Sequence, residues 1–86
     1  MTIEVTPLEE MTSGKLCAQV AHAAQLAWQS PAMPDACRSA WAAQDYRVRV
    51  VFPSPEVWGA ASRPVRVVDA GFTELDGPRE TARARW

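Results

Sequence analysis

Three polar residues near the start of the chain have types and a spacing that could serve a binding or catalytic site. Lys15, Gln19 and His22 lie in the otherwise small and apolar stretch TSGKLCAQVAHAAQ, and Lys15 and His22 are the only lysine and histidine of the sequence. Side chains three and four positions apart lie on one face of a helix, so these three would share a face. That face is narrow and is flanked by apolar residues, so we expect it to line a cleft rather than face open solvent.

The start of this helix makes Lys15 a candidate for binding an anion. Thr12 or Ser13 can cap the helix, which places Lys15 in its first turn. The unpaired backbone N–H groups and the positive end of the helix dipole suit that position to an anion. A lysine adds the charge that the dipole disfavours, which makes sense if the partner is anionic. The alternative is an ordinary solvated polar stripe, and the spacing does not decide between the two.

A second polar cluster follows the apolar strand predicted by VRVV. Asp69 stands at the end of that strand, and Ala70 and Gly71 allow the close approach of a backbone. Thr73 offers a hydroxyl group just beyond. Ligands of open α/β sheets collect at the carboxyl ends of strands, so we expect this turn and the helix face to form one site. The alternative is that Asp69 only caps its turn.

Short elements would position these residues. TIEV, YRVRVVF, VRVV and TARARW predict strands, a long helix begins near Ser13, and PDACRSAWAAQ predicts a second helix. The order predicts an α/β sheet layered with helices. The first helix has two apolar stripes, which predict packing on more than one side. The first consists of Leu16, Val20, Ala23 and Ala27, and the second of Cys17, Ala21, Ala24 and Trp28.

Composition restricts the class of protein. Cys17 and Cys37 have no metal-ligand spacing and form no disulfide framework, so we expect buried thiols, no metal and a reduced, cytoplasmic protein. No apolar run approaches the roughly 20 residues that span a bilayer, and the acidic start is unlike a secretory signal. The net charge is −1. Nevertheless, seven arginines follow residue 45, which predicts either a phosphate-binding patch or a solvated surface with interspersed acids.

Together the two polar segments resemble the peptidyl-tRNA hydrolase 2 family of archaea and eukaryotes. The family has a helix start close to M-G-x-GK-x-A-A-Q-x-x-HAA, and the corresponding run here is MTSGKLCAQVAHAA. It also has DAGRT after a strand, followed by a turn with a glycine and a threonine, and here those segments are DAGFT and DGPRET. The resemblance covers most of the chain and is weakest in the middle.

The resemblance implies one small α/β domain over residues 1–86, with a four-stranded mixed sheet and commonly a homodimer. It implies hydrolysis of the ester of peptidyl-tRNA without a metal or an organic cofactor. The family's functional positions fall on Lys15, Gln19, His22, Asp69 and Thr73. Chemistry leaves their roles partly open. His22 or Asp69 would activate water, Lys15 would hold a phosphate or an oxyanion, and the other two would position the ester or the terminal ribose.

Substrate binding is also expected at Gly71, Arg47 and Arg49, because alternation in YRVRVVF puts both arginines on one strand face. Three departures from the family stand out. Phe72 replaces the usual arginine, the connection over residues 52–65 is short, and the chain stops where the family completes its last strand and adds a helix. A catalytically reduced paralogue that binds RNA or protein is therefore the alternative.

The tryptophans predict self-association. A domain of 86 residues cannot easily bury the four indoles of Trp28, Trp41, Trp58 and Trp86. The short final strand TARARW would also leave a sheet edge that needs covering. We therefore expect a homo-oligomer, most simply a dimer. The alternative is that the tryptophans pack on the domain's own sheet.

Overall fold

A four-stranded sheet determines where each candidate residue lies. In the computed structural model, which describes residues 1–69 and 78–86, the strands are β1 (Thr2–Val5), β2 (Arg49–Val51), β3 (Val65–Asp69) and β4 (Arg79–Arg85). Their spatial order is β2-β1-β4-β3. β2 runs parallel to β1, whereas β4 runs antiparallel to both β1 and β3. The expected α/β fold with a mixed four-stranded sheet is therefore confirmed.

Within the described ranges, three helices accompany the sheet: α1 (Ser13–Gln29), α2 (Asp35–Ala43) and α3 (Pro55–Ala60). The hydroxyl of Thr12 accepts a hydrogen bond from the backbone N–H of Lys15, so the predicted N-cap of α1 is confirmed. α1 packs across β4, β3 and β1. The core between helices and sheet comprises Ile3, Ala23, Ala27, Met33, Trp41, Val65, Val67, Ala82 and Ala84. Alanines on both sides of this contact let α1 lie close to the strands.

A single arginine closes the C-terminal end of α1. The last carbonyl groups of a helix have no partner within it. The guanidinium of Arg38 donates to the carbonyl oxygens of Trp28, Ser30 and Met33, and it also pairs with Asp35. These bonds tie α2 to the C-terminal end of α1 and to the connection between the two helices.

Only one of the two apolar stripes of α1 is buried. Ala23 and Ala27 of the first stripe are fully buried, whereas Cys17 and Ala21 of the second are exposed and Trp28 keeps 39% of its surface exposed. The predicted packing of α1 on more than one side is met only in part, because Ala24 packs against the core and the Trp28 ring contacts Trp41 and Tyr46, whereas the predicted burial of the Cys17 thiol is wrong. The reason is that the sheet covers α1 from one side.

The last strand does not form an edge of the sheet. β4 lies between β1 and β3, and the edges are β2 and β3, so the prediction of an open edge at TARARW is wrong. Trp41 and Trp58 are 6% and 5% exposed, whereas Trp28 and Trp86 each keep 39%. Two of the four indoles are thus buried within the domain. Self-association stays a prediction, supported now by the other two indoles alone.

The strand predicted from YRVRVVF is shorter than expected and begins at Arg49. The two residues Asp45 and Tyr46 have φ angles of 55° and 57°, in the left-handed region, and they end the extension of α2 in a tight turn. Arg47 belongs to this turn, because its N–H donates to the carbonyl of Gln44 and its carbonyl accepts from Nε1 of Trp41. The prediction that Arg47 and Arg49 share one strand face is therefore wrong.

Aromatic packing stabilises this turn. The ring of Tyr46 lies edge-on to Trp28 and Trp41, with centroids 5.4 and 5.5 Å away. Aromatic pairs prefer such tilted arrangements, and they add to the free energy gained from burial. Three rings from α1, α2 and the turn therefore offset the cost of two consecutive left-handed residues that are not glycine.

Candidate functional site

The polar face of α1 meets the end of β3. Lys15 lies in the first turn of α1, Asp69 is the last residue of β3, and 2.9 Å separate Nζ of Lys15 from Oδ2 of Asp69. Alternation along β3 explains the direction of the carboxylate. Val65 and Val67 point into the core below α1, and Asp69 is the next residue on that side. The expected meeting of the two segments is found, and we call Lys15 and Asp69 the site pair.

The site pair is accessible to solvent. The Lys15 side chain is 45% exposed and that of Asp69 is 20% exposed. The hydrogen bond that Lys15 donates to Asp69, together with the negative charges of Asp69 and Glu9, raises the pKa of the Lys15 ammonium above its usual value of 10.5. Lys15 is therefore a permanent cation, held against the strand end at a surface that an anion can reach.

Gln19, the next residue of the polar face, is held by β4. The hydroxyl of Thr81 donates to Oε1 of Gln19 at 2.9 Å, and Thr81 is fully buried. The pairing of β3 with β4 shifts register between Val67 and Val68, opposite Thr81. Such a bulge can re-aim a side chain, and here it directs the hydroxyl toward α1. With its oxygen held by Thr81, the amide presents its N–H groups as the donors for a ligand.

The other predicted site residues are more scattered. His22 lies farther along α1 and is exposed. Gly71 and Thr73 lie outside the described residues. Arg47 and Arg49 are at the β2 edge of the sheet, whereas the site pair is at the opposite edge, on β3. The structure therefore joins Lys15 to Asp69 and orients Gln19, but it does not bring the two arginines to the same edge.

Thr81 was missed by reasoning from the sequence. In TARARW, alternation puts Thr81 on the same face as Arg83 and Arg85, which is the side of the sheet away from α1. The bulge breaks this alternation, because it inserts one residue into β4. No glycine marks the position in the sequence, so the local pattern contains no signal for it.

Other kinds of site find little support in the described part of the chain. Across residues 1–69 and 78–86, no group of three or more histidine, cysteine, aspartate or glutamate side chains could hold a metal ion. No helix in those same ranges is both long and apolar enough to cross a membrane. Compared with known proteins, the chain matches no protein-family model, no curated protein and no solved structure.

Proposed function

We propose that this protein is a cytoplasmic esterase that hydrolyses peptidyl-tRNA and releases free tRNA. The observation that carries the proposal is the 2.9 Å contact between Lys15 and Asp69. These residues come from the two separate segments that resemble the peptidyl-tRNA hydrolase 2 family. They are far apart in the sequence, and they come together at the carboxyl end of a strand, where α/β folds commonly bind ligands.

The chemistry assigns different tasks to the two charges. Water attacks the carbonyl carbon of the ester, a C–O bond forms, and the bond to the ribose oxygen breaks. The Lys15 ammonium donates to the oxygen that becomes negative in the transition state. The Asp69 carboxylate accepts the proton of the attacking water, and that proton then goes to the ribose oxygen as it leaves.

The neighbouring residues have supporting tasks in this proposal. The amide N–H groups of Gln19, oriented through Thr81, donate to the ester or to the terminal ribose. His22 is more distant and exposed, which favours Asp69 over His22 as the proton acceptor. Thr73 and Gly71 follow Asp69 in the sequence, and the resemblance gives them a part in positioning the substrate.

A binding module without hydrolysis is the second candidate. One specific observation favours it, which is that Lys15 and Asp69 satisfy each other in the free protein. An ion pair that only fastens the start of α1 to β3 would look the same. Such a protein would keep the fold and bind RNA or another protein through a different surface.

The test is release of free tRNA from a purified peptidyl-tRNA by the parent chain and by Lys15→Ala. Removal of one donor to the oxyanion should lower the rate about 100-fold. Gln25→Ala is the matched control, because Gln25 is an exposed polar residue of the same helix outside the site. If the parent releases no tRNA, or if Lys15→Ala matches it, hydrolysis is wrong and the binding module replaces it.

A further inference from the structure

The side of the sheet opposite α1 carries an unusual number of arginines. Residues opposite one another in register share a face. Glu4 pairs with Arg83, and Arg83 pairs with Arg66. In the neighbouring row, Thr2 pairs with both Arg49 and Arg85. The residues that alternate with these are buried on the α1 side of the sheet, and they are Ile3, Val5, Ala82 and Ala84. We call Arg49, Arg63, Arg66, Arg83 and Arg85 the arginine face.

Two of these arginines, Arg83 and Arg63, hold parts of the fold together. Arg83 is 8% exposed, donates to the carbonyl oxygens of Trp58 and Ala61, and has its guanidinium carbon 3.6 Å from the centroid of the Trp58 ring. Arg63 donates to both carboxylate oxygens of Glu4. These contacts attach α3 and the segment after it to the sheet.

The remaining arginines are directed at solvent. Arg49 and Arg66 are exposed, and neither forms an ion pair with any acid in the described ranges. The Arg85 side chain is 45% exposed and reaches Glu4 only at 3.9 Å. Arg66 also lies directly opposite Arg83. Like charges in that position destabilise a sheet, so folding alone gives no reason for Arg66.

The charges on this face are unbalanced. Within the described ranges the five arginines pair with two carboxylates, Glu4 and Glu80, while the whole chain has a net charge of −1. Positive charge is therefore concentrated on one side of the sheet, and the rest of the chain is acidic. A surface of this kind attracts and orients an anionic partner. The planar guanidinium group is suited to phosphate, because its N–H groups donate two parallel bonds.

We propose that the arginine face binds the phosphate backbone of RNA. The inference rests on the proposed function only in taking tRNA as that RNA. A polymer is favoured over a single anion because the exposed arginines are spread over β2, β4 and β3 rather than gathered around one point. Arg66 and Asp69 belong to the same edge strand and are about 10 Å apart at the extended rise. Their side chains point to opposite faces of the sheet, so a backbone on the arginine face would reach the site pair by passing around the β3 edge.

The experiment measures binding of deacylated tRNA, which has no ester, across a series of salt concentrations. The test variant is Arg49→Gln with Arg66→Gln. The control is Ala36→Glu with Ser39→Glu, which makes the same change in net charge at two exposed positions of α2. We expect the test variant to bind at least tenfold more weakly. The slope of log affinity against log salt should fall by about 1.5, because two phosphate contacts are lost.

Equal affinity and equal salt slope for the test variant and the control would overturn the proposal. Displacement of tRNA by polyglutamate of equal total charge would also overturn it, because the face would then recognise charge alone. Circular dichroism checks folding, and Arg66→Gln alone provides a milder second variant. A parent chain that binds deacylated tRNA through this face but releases none from peptidyl-tRNA would keep this inference and lose the proposed function.

Discussion

Two ion pairs of similar chemistry have opposite environments. The site pair joins α1 to the end of β3, with side chains 45% and 20% exposed. Glu4 and Arg63, on the arginine face, join β1 to the segment before β3, and the Glu4 side chain is only 6% exposed. Arg85 and Arg83 add positive charge near Glu4, whereas the negative charge of Glu9 acts on Lys15 of the site pair.

The two pairs differ in how strongly the stability of the fold depends on them. A buried carboxylate has lost its hydration, so it needs its partner in order to remain charged. An exposed pair contributes at most about 1 kcal/mol, because water solvates either charge when the other is removed. The fold therefore depends on Glu4 and Arg63, while Lys15 and Asp69 can exchange each other for a substrate at little cost to stability.

The strongest test of this contrast is Arg63→Ala. It should lower the free energy of unfolding by about 3 kcal/mol, because it leaves a buried carboxylate without its two-bond partner. Urea denaturation at neutral pH measures the loss. Arg47→Ala is the control, since Arg47 is exposed and has no ion pair in the described ranges. A loss below about 1 kcal/mol for Arg63→Ala would put both pairs in the same class.

Asp69→Asn tests the other side of the contrast. It keeps the shape of the side chain and removes its charge, so hydrolysis should fall about 100-fold while stability changes by less than about 1 kcal/mol. Combined with Lys15→Ala it should cause little further loss of rate, because residues that serve one transition state do not act additively. His22→Ala should have a smaller effect than either. Additive losses would mean that the site pair does not work as a unit.

The two pairs should also respond to opposite ends of the pH scale. The hydrogen bond from Arg63, with the charges of Arg63, Arg85 and Arg83, lowers the pKa of Glu4 below 4.5, although burial opposes this. Its stabilisation is complete above pH 4.5 and is lost as the pH falls through the lower, folded-state pKa. The raised pKa of Lys15 works in the reverse sense, and its stabilisation is lost only above pH 10.5.

The measurement is the free energy of unfolding from pH 3 to pH 7 for the parent and for Glu4→Gln. The parent should lose stability steeply at the acid end. Glu4→Gln should start lower at pH 7 and show a flatter acid limb, because the group whose pKa is shifted has gone. An acid limb as steep in Glu4→Gln as in the parent would assign the loss to other carboxylates.

Local patterns in the sequence predict much of this fold. The strand TIEV, the cap at Thr12, the second helix and the alternation of VRVV all follow from rules within a few residues. The meeting of Lys15 and Asp69 was predicted as well, because strand ends and helix starts meet at one sheet edge in α/β folds.

The failures come from tertiary structure. The position of β4 inside the sheet depends on pairing with β1 and β3, which no local pattern encodes. The bulge at Thr81 and the turn at Tyr46 each interrupt a regular alternation. Cys17 and Ala21 of α1 are exposed because the sheet covers that helix on one side only. The pairing of Glu4 with Arg63 links residues distant in the sequence, and no local sequence pattern near either residue predicts it.

The smallest expected effect is that of Arg66→Gln, which tests whether the charge of Arg66 stabilises the fold or serves a binding partner. Arg66 lies opposite Arg83 with no acid of its own in the described ranges, so Arg66→Gln should raise the free energy of unfolding by about 0.2–1 kcal/mol. The same change should weaken binding of deacylated tRNA and reduce its salt slope by about 0.7–0.9. Arg49→Gln is the control, because it faces Thr2 rather than a like charge and should leave stability unchanged. Denaturation and binding measured on both variants give the result. A loss of stability in Arg66→Gln would show that Arg66 supports the fold, and its charge would then need no binding partner to explain it.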